Sequence, residues 1–180
     1  MNYNINKFFE KEECLPIIEF AEKNGIQFSY TNDSVWDCKR ICNDEFKEKI
    51  LNHFITLYQS KKFDLWFPLE SFEIKDINLS LTKYYDGRKL NLHLDGTSQL
   101  TTVIVLSEEF HDGRFMLSEI PEDNNNTQKH ELKIGESITF DGSQIYHGVM
   151  PVTKGIRYAL NIWMTNTDYK YLKLGEKKLI

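Results

Sequence analysis

Cysteine is scarce in this chain of 180 residues, which holds three, Cys14, Cys38 and Cys42. An odd number without the paired spacing of a zinc site suits neither a disulfide framework nor a metal knuckle, so the thiols read as structural residues of a reducing compartment. Long hydrophobic runs are also missing. No apolar stretch approaches the ~20 residues that span a bilayer, and the N-terminus lacks the basic, apolar and small-residue succession of a secretory leader. The expected location is the cytoplasm, without a membrane partner. Lysine and arginine are outnumbered 22 to 27 by acidic residues, and apart from residues 170–180 no basic stripe stands out, which weighs against nucleic acid as the main partner. Four prolines and nine glycines gather in no linker. The chain is therefore expected to form a single domain over residues 1–180, and its 41% hydrophobic and 13% aromatic content is enough for one sizeable core.

What is present divides into a helical first part, roughly residues 1–65, and a β core over roughly 70–167. Residues 11–24 carry Cys14, Leu15, Ile17, Ile18 and Ala21 at helical spacing, and Gly25 suits a left-handed position after the helix end. A second helix is expected after Asn43, with Asn43 or Asp44 as its cap and Phe46, Ile50, Leu51, Phe54, Leu57 and Tyr58 on one stripe. From Ile77 the period changes to two. Ile77, Leu79 and Leu81 share one face, while Asn78, Ser80, Thr82 and Tyr84 share the other. The segment 90–94 repeats this, with Leu90, Leu92 and Leu94 opposite Asn91, His93 and Asp95. Both leucine faces are expected beneath the helices and both polar faces toward a cavity. Residues 101–107, 115–118, 137–140, 145–150 and 157–164 supply further strands, and short strands with Gly and Asp turns imply an antiparallel sandwich or barrel. Residues 122–128 read as a polar surface loop.

Within this frame His93 and Asp95 stand two apart, so a strand projects both from one face. His147 follows in Ile145-Tyr146-His147-Gly148-Val149. Two imidazoles and one carboxylate form a donor set that suits non-haem Fe(II) and leaves coordination positions open. Ten residues further on, Arg157 offers a permanent forked cation matched to a carboxylate. His53, His111 and His130 are isolated and read as core-satisfied or partly exposed residues. Spacing alone also admits a buried hydrogen-bond network, or a jelly roll that binds metal without catalysis.

From about residue 77 to 165 the chain resembles the Fe(II)- and 2-oxoglutarate-dependent dioxygenases, with the layout of their prolyl 4-hydroxylase branch. The matching residues come in order: Tyr84, His93-Leu94-Asp95, Asp112-Gly113-Arg114-Phe115, Gly135-Glu136-Ser137-Ile138-Thr139-Phe140, His147, the segment 149–158 ending in Arg157-Tyr158, and Trp163. The resemblance implies a double-stranded β-helix, or jelly roll, with the N-terminal helices packed on its major sheet. It implies Fe(II) held by His93, Asp95 and His147, and 2-oxoglutarate with its distal carboxylate on Arg157 and Tyr84 within reach. It further implies hydroxylation of a C–H bond with release of succinate and CO2, supported by ascorbate, on a prolyl residue of a protein or peptide or on a free amino acid or other small molecule.

Asn161, on the strand face of Arg157, either lines the co-substrate pocket or makes a structural hydrogen bond. Trp163 reads as core packing in preference to substrate contact. Trp36, Trp66 and Arg114 are candidates for a substrate rim. Three features depart from or refine the pattern. Asp112-Gly113 stands where the family usually has two glycines. Asp95 is present where halogenating relatives carry a small residue, and no second arginine closely follows Arg157 as in nucleic-acid demethylases. A non-catalytic cupin-like module remains the alternative from another class.

Overall fold

The computed structural model describes residues 1–28, 37–59, 72–121 and 126–165. The expectations for Trp36, Trp66, most of the 122–128 loop and the basic residues 170–180 fall outside them. No helix among the described residues is long and apolar enough to cross a membrane.

Helix α1 (Lys11–Asn24) and helix α2 (Asp44–Gln59) form where the periodicity places them. At the start of α1 the Glu13 carboxylate accepts the Glu10 N–H at 2.9 Å, and at the start of α2 the Asn43 side-chain oxygen accepts the Phe46 N–H at 2.7 Å. Each bond satisfies one amide that a first helical turn leaves without a partner. Two details differ from expectation. Leu15 is 60% exposed and off the buried stripe. Gly25 has φ −75° and is not left-handed. It is small because a Cβ there would lie 2.5 Å from the Ala21 carbonyl oxygen and 2.8 Å from Lys39 Cβ, so it lets the chain pass close to the sheet.

The first part of the chain also contains strands that its composition did not announce: β1 (Tyr3–Lys7), β2 (Ile26–Phe28) and β3 (Asp37–Ile41). The later strands are β4 (Ile77–Tyr84), β5 (Leu90–His93), β6 (Leu100–Val105), β7 (Phe110–Asp112), β8 (Phe115–Ser118), β9 (Gln128–His130), β10 (Glu136–Phe140), β11 (Tyr146–Val149), β12 (Val152–Gly155) and β13 (Arg157–Met164). A seven-stranded sheet runs in the order β1-β10-β6-β13-β4-β3-β2, a four-stranded sheet in the order β5-β11-β8-β9, and β12 pairs with β7. Every pairing is antiparallel. This is the expected jelly roll.

Three layers result. The helices cover one face of the large sheet, where Phe54, Ile50, Ile17 and Cys14 meet Ile77, Leu79, Leu81, Leu160 and Ile162. The other face looks at the small sheet, where Val103, Val105, Ile138 and Phe140 meet Phe115, Leu117 and Val149. Thr102 and Thr139 sit opposite each other in the large sheet and bond hydroxyl to hydroxyl at 2.8 Å, so neither buries an unpaired group.

The expectation for residues 90–94 requires correction. β5 belongs to the small sheet, and its leucines are nowhere under the helices: Leu90 packs at the inner core and Leu94 is 36% exposed. The reason is a register shift. His93 pairs with His147 but Leu90 pairs with Val149, so three steps on β5 oppose two on β11 and simple alternation fails. The bulge turns both Leu90 and His93 inward.

Candidate metal centre

The register shift brings His93 directly opposite His147, with ring centroids 4.3 Å apart. His147 is 4% exposed, between the rings of Phe140 and Phe115. Asp95 lies just past β5, where its backbone N–H donates to the Gly142 carbonyl at 2.8 Å. Ligand atoms of His93, Asp95 and His147 all fall within 4.8 Å of one another, the one such cluster of three or more potential ligands among the described residues. His93 Nε2 is 3.5 Å from Asp95 Oδ1, and His147 Nε2 is 3.3 Å from Asp95 Oδ2.

The imidazoles are prepared for a metal by their other nitrogens. His93 Nδ1 faces the Asn91 carbonyl at 3.0 Å and His147 Nδ1 faces the Ile145 carbonyl at 3.1 Å. A carbonyl only accepts, so Nδ1 carries a proton in each ring, and Nε2, turned toward Asp95, donates to its carboxylate when protonated and offers its lone pair to a metal when neutral. Burial works against the charged Asp95, yet hydrogen bonds from His147, His93 and Thr101 hold its carboxyl far below the usual carboxylate range. Burial also works against a charged His93, but the Asp95 carboxylate and the Asn91 carbonyl more than offset it and raise its pKa. Two imidazoles in this tautomer beside a carboxylate fit a divalent iron.

On the facing sheet Arg157 and Tyr84 are cross-strand partners of β13 and β4. Arg157 is 1% exposed, its guanidinium 5.5 Å from the centre of the Tyr84 ring. Both Nη1 and Nη2 are buried without a hydrogen-bond partner. Burial lowers its pKa to about 10, which still leaves a cation at neutral pH. Burial pushes the Tyr84 phenol well above its usual value although Arg157 pulls the other way, so its hydroxyl remains a donor. A buried fork with unused donors calls for a bidentate anion such as a carboxylate.

Asn161 makes the structural bonds that were one of its two expected roles, donating from Nδ2 to Ser80 Oγ at 3.3 Å and to Thr82 Oγ1. Trp163 is half-buried, and its indole N–H donates to Asp95 Oδ2 at 2.8 Å, a contact that a reading of core packing did not foresee. The Thr101 hydroxyl donates to the same oxygen at 2.7 Å. Nothing in the sequence marked Thr101, because its partner is reached only through the sheet pairing. Arg114 is exposed and lines an outer cavity of about 520 Å³ with Phe110, Glu131 and Lys133, away from the three ligands. His53 is satisfied by the Phe8 carbonyl.

The turn at Asp112-Gly113 resolves the departure noted above. Both residues have positive φ, 62° and 67°, so an aspartate adopts the left-handed conformation that a glycine would take freely. Thr153 Oγ1 donates to its carboxylate at 2.5 Å.

Residues 79–165 match the model of the 2OG-Fe(II) oxygenase superfamily. No curated protein gives a significant match. Among solved structures, a prolyl-4-hydroxylase from Pseudomonas putida is similar with a TM-score of 0.67 at 15% identity, over 91% of this chain and 92% of that one. A viral collagen prolyl hydroxylase from Paramecium Bursaria Chlorella virus-1, solved as a 2OG complex, has a TM-score of 0.63 at 20% identity, over 91% and 95% of the two chains. A prolyl hydroxylase from Trichoplax adhaerens, in complex with a hypoxia inducible factor peptide fragment, has a TM-score of 0.64 at 16% identity, over 94% and 86%.

Proposed function

We propose that this protein, whose residues 79–165 match the 2OG-Fe(II) oxygenase superfamily, is a 2-oxoglutarate- and O2-dependent hydroxylase that acts on a prolyl residue of a protein or peptide. Residues 1–180 act as one domain on this reading, since β1, β2 and β3 of the first part complete the sheet that carries Arg157. The observation that carries the chemistry is the pairing of a His-Asp-His cluster with a buried guanidinium whose two terminal nitrogens are unused.

His93 Nε2, Asp95 and His147 Nε2 would hold Fe(II). Bound there, iron supplies the oxygen and redox chemistry that couples conversion of 2-oxoglutarate and O2 to succinate and CO2 with hydroxylation of a substrate C–H bond. Arg157 takes the distal carboxylate of 2-oxoglutarate through Nη1 and Nη2, and the protonated Tyr84 hydroxyl adds a donor beside it. Asn161, with its amide nitrogen engaged by Ser80 and Thr82, braces the pocket wall. The apolar residues around His147, Phe115 and Phe140, keep water from one side of the centre. A prolyl peptide is favoured as substrate by the similarity to three prolyl hydroxylases, and nucleic acid is disfavoured by the net charge of −5. Three free thiols suit the cytoplasm.

The test is succinate formation from 2-oxoglutarate after anaerobic loading with Fe(II) and admission of oxygen, with ascorbate present and Asp95→Ala as control, followed by mass analysis of proline-containing peptides and free amino acids. Iron- and Asp95-dependent succinate with a peptide gaining one oxygen at proline is the expected result. Gain of oxygen by a free amino acid would move the substrate to small molecules. Failure to bind either Fe(II) or 2-oxoglutarate would leave a non-catalytic jelly roll.

A further inference from the structure

Asp95 is held from the opposite sheet. Thr101 and Trp163 are facing partners on β6 and β13, and both side chains converge on one atom, Asp95 Oδ2, from 2.7 and 2.8 Å. The Thr101 hydroxyl also lies 3.0 Å from Ser98 Oγ, whose own proton goes to the Leu100 carbonyl at 3.1 Å. Gly142 makes room for the arrangement, because a Cβ there would come within 2.1 Å of Thr101 Oγ1 and 2.9 Å of Asp95 Oδ2.

We propose that Thr101 and Trp163 are positioning residues of the metal centre, a two-donor clamp that fixes the Asp95 carboxylate in its orientation beside the two imidazoles. Two donors at these distances on one oxygen restrict the rotation of the carboxylate that carries it. The clamp thus sets the rotation of a carboxylate whose backbone lies outside any strand. Neither residue touches the ion, and both act through Asp95. The inference rests on the metal-binding reading above.

The experiment is titration of the full-length, metal-free protein with Co(II) alone, followed by its visible absorption, for wild type, Thr101→Val, Thr101→Ser and Trp163→Phe, with the melting temperature of each metal-free variant measured in parallel. Valine keeps the shape of threonine without the hydroxyl, and serine keeps the hydroxyl. The clamp predicts that Thr101→Val and Trp163→Phe weaken Co(II) binding ~10–100-fold and alter its absorption bands, while Thr101→Ser keeps wild-type affinity. If Trp163→Phe does not fold, the threonine pair decides alone. Equal Co(II) affinities for Thr101→Val and Thr101→Ser would overturn the clamp and leave the metal centre standing. A wild-type protein that binds no Co(II) would overturn both.

Discussion

A guanidinium buried without a hydrogen-bond partner on either terminal nitrogen is a cost that the ligand-free protein carries through Arg157. Its folded pKa, lowered to about 10 by burial, lies below the ordinary arginine value. The sign follows: the unfolded chain holds that proton more tightly, so the buried charge subtracts stability at all pH below about 10 and the loss is recovered only above it. Replacing Arg157 with methionine should therefore stabilise the ligand-free protein, by about 1–4 kcal/mol, while abolishing the rise in melting temperature that 2-oxoglutarate gives the wild type. Differential scanning fluorimetry with and without 2-oxoglutarate measures both; a lower melting temperature for the ligand-free variant would show that the charge is compensated within the protein. The cysteines make a second test at this scale. Cys14 and Cys38 are buried, and burial raises both thiols, that of Cys14 to about 11, whereas Cys42 is exposed. A native protein should show one fast thiol toward a disulfide reagent and all three after denaturation. A second fast thiol would mean that the edge around Cys38 opens.

At the scale of elements, the turn between β7 and β8 supports Arg157 from behind. A Cβ on Gly113, which sits at φ 67°, would meet Val152 Cγ2 at 2.7 Å and Arg157 Cδ at 3.0 Å. Gly113→Ala should cost about 1–3 kcal/mol of stability from overpacking and the left-handed backbone, and raise the KM for 2-oxoglutarate far more than it weakens metal binding. A change in metal affinity equal to the change in KM would show that the turn acts on the whole site. The elements legible in the sequence are those whose reasons are local. Helices α1 and α2 announce themselves by a stripe with a cap, and β4 and β13 by alternation sustained over eight residues. The strands missed are short or charged and exist because of distant partners. Tyr3–Lys7 is a strand because residues 136–140 pair with it, and the Asp37–Ile41 strand carries Lys39, whose ammonium bonds back to the Glu22 carbonyl on α1 at 2.6 Å. In the site, His93, Asp95, His147 and Arg157 were legible by chemistry and order. Thr101 and Gly142 were not, since a threonine in an apolar strand and a glycine in a turn carry no sign of the carboxylate they approach.

For the molecule as a whole, the large sheet separates a structural core from a functional one. Phe54, fully buried between α2 and the helix-facing side and 4.8 Å from Phe8, has no part in the centre, whereas the Phe140 ring lies 4.7 Å from His147 on the other side. Each change to alanine should cost about 3–5 kcal/mol of stability. Only Phe140→Ala should also weaken Co(II) binding per folded molecule, and equal effects of the two on affinity would show that the cores are not independent. The strand order of the small sheet adds a last consequence. Among the described residues β5, which ends at His93 and leads into Asp95, is an edge strand bonded in its sheet only to β11, with Leu94 exposed beside it. An open edge is a template on which a second chain can pair. Because two ligands of the ion sit at that edge, occupancy pins it against fraying, so loss of the metal exposes a sticky strand, and the metal-depleted protein is the form that should self-associate on storage.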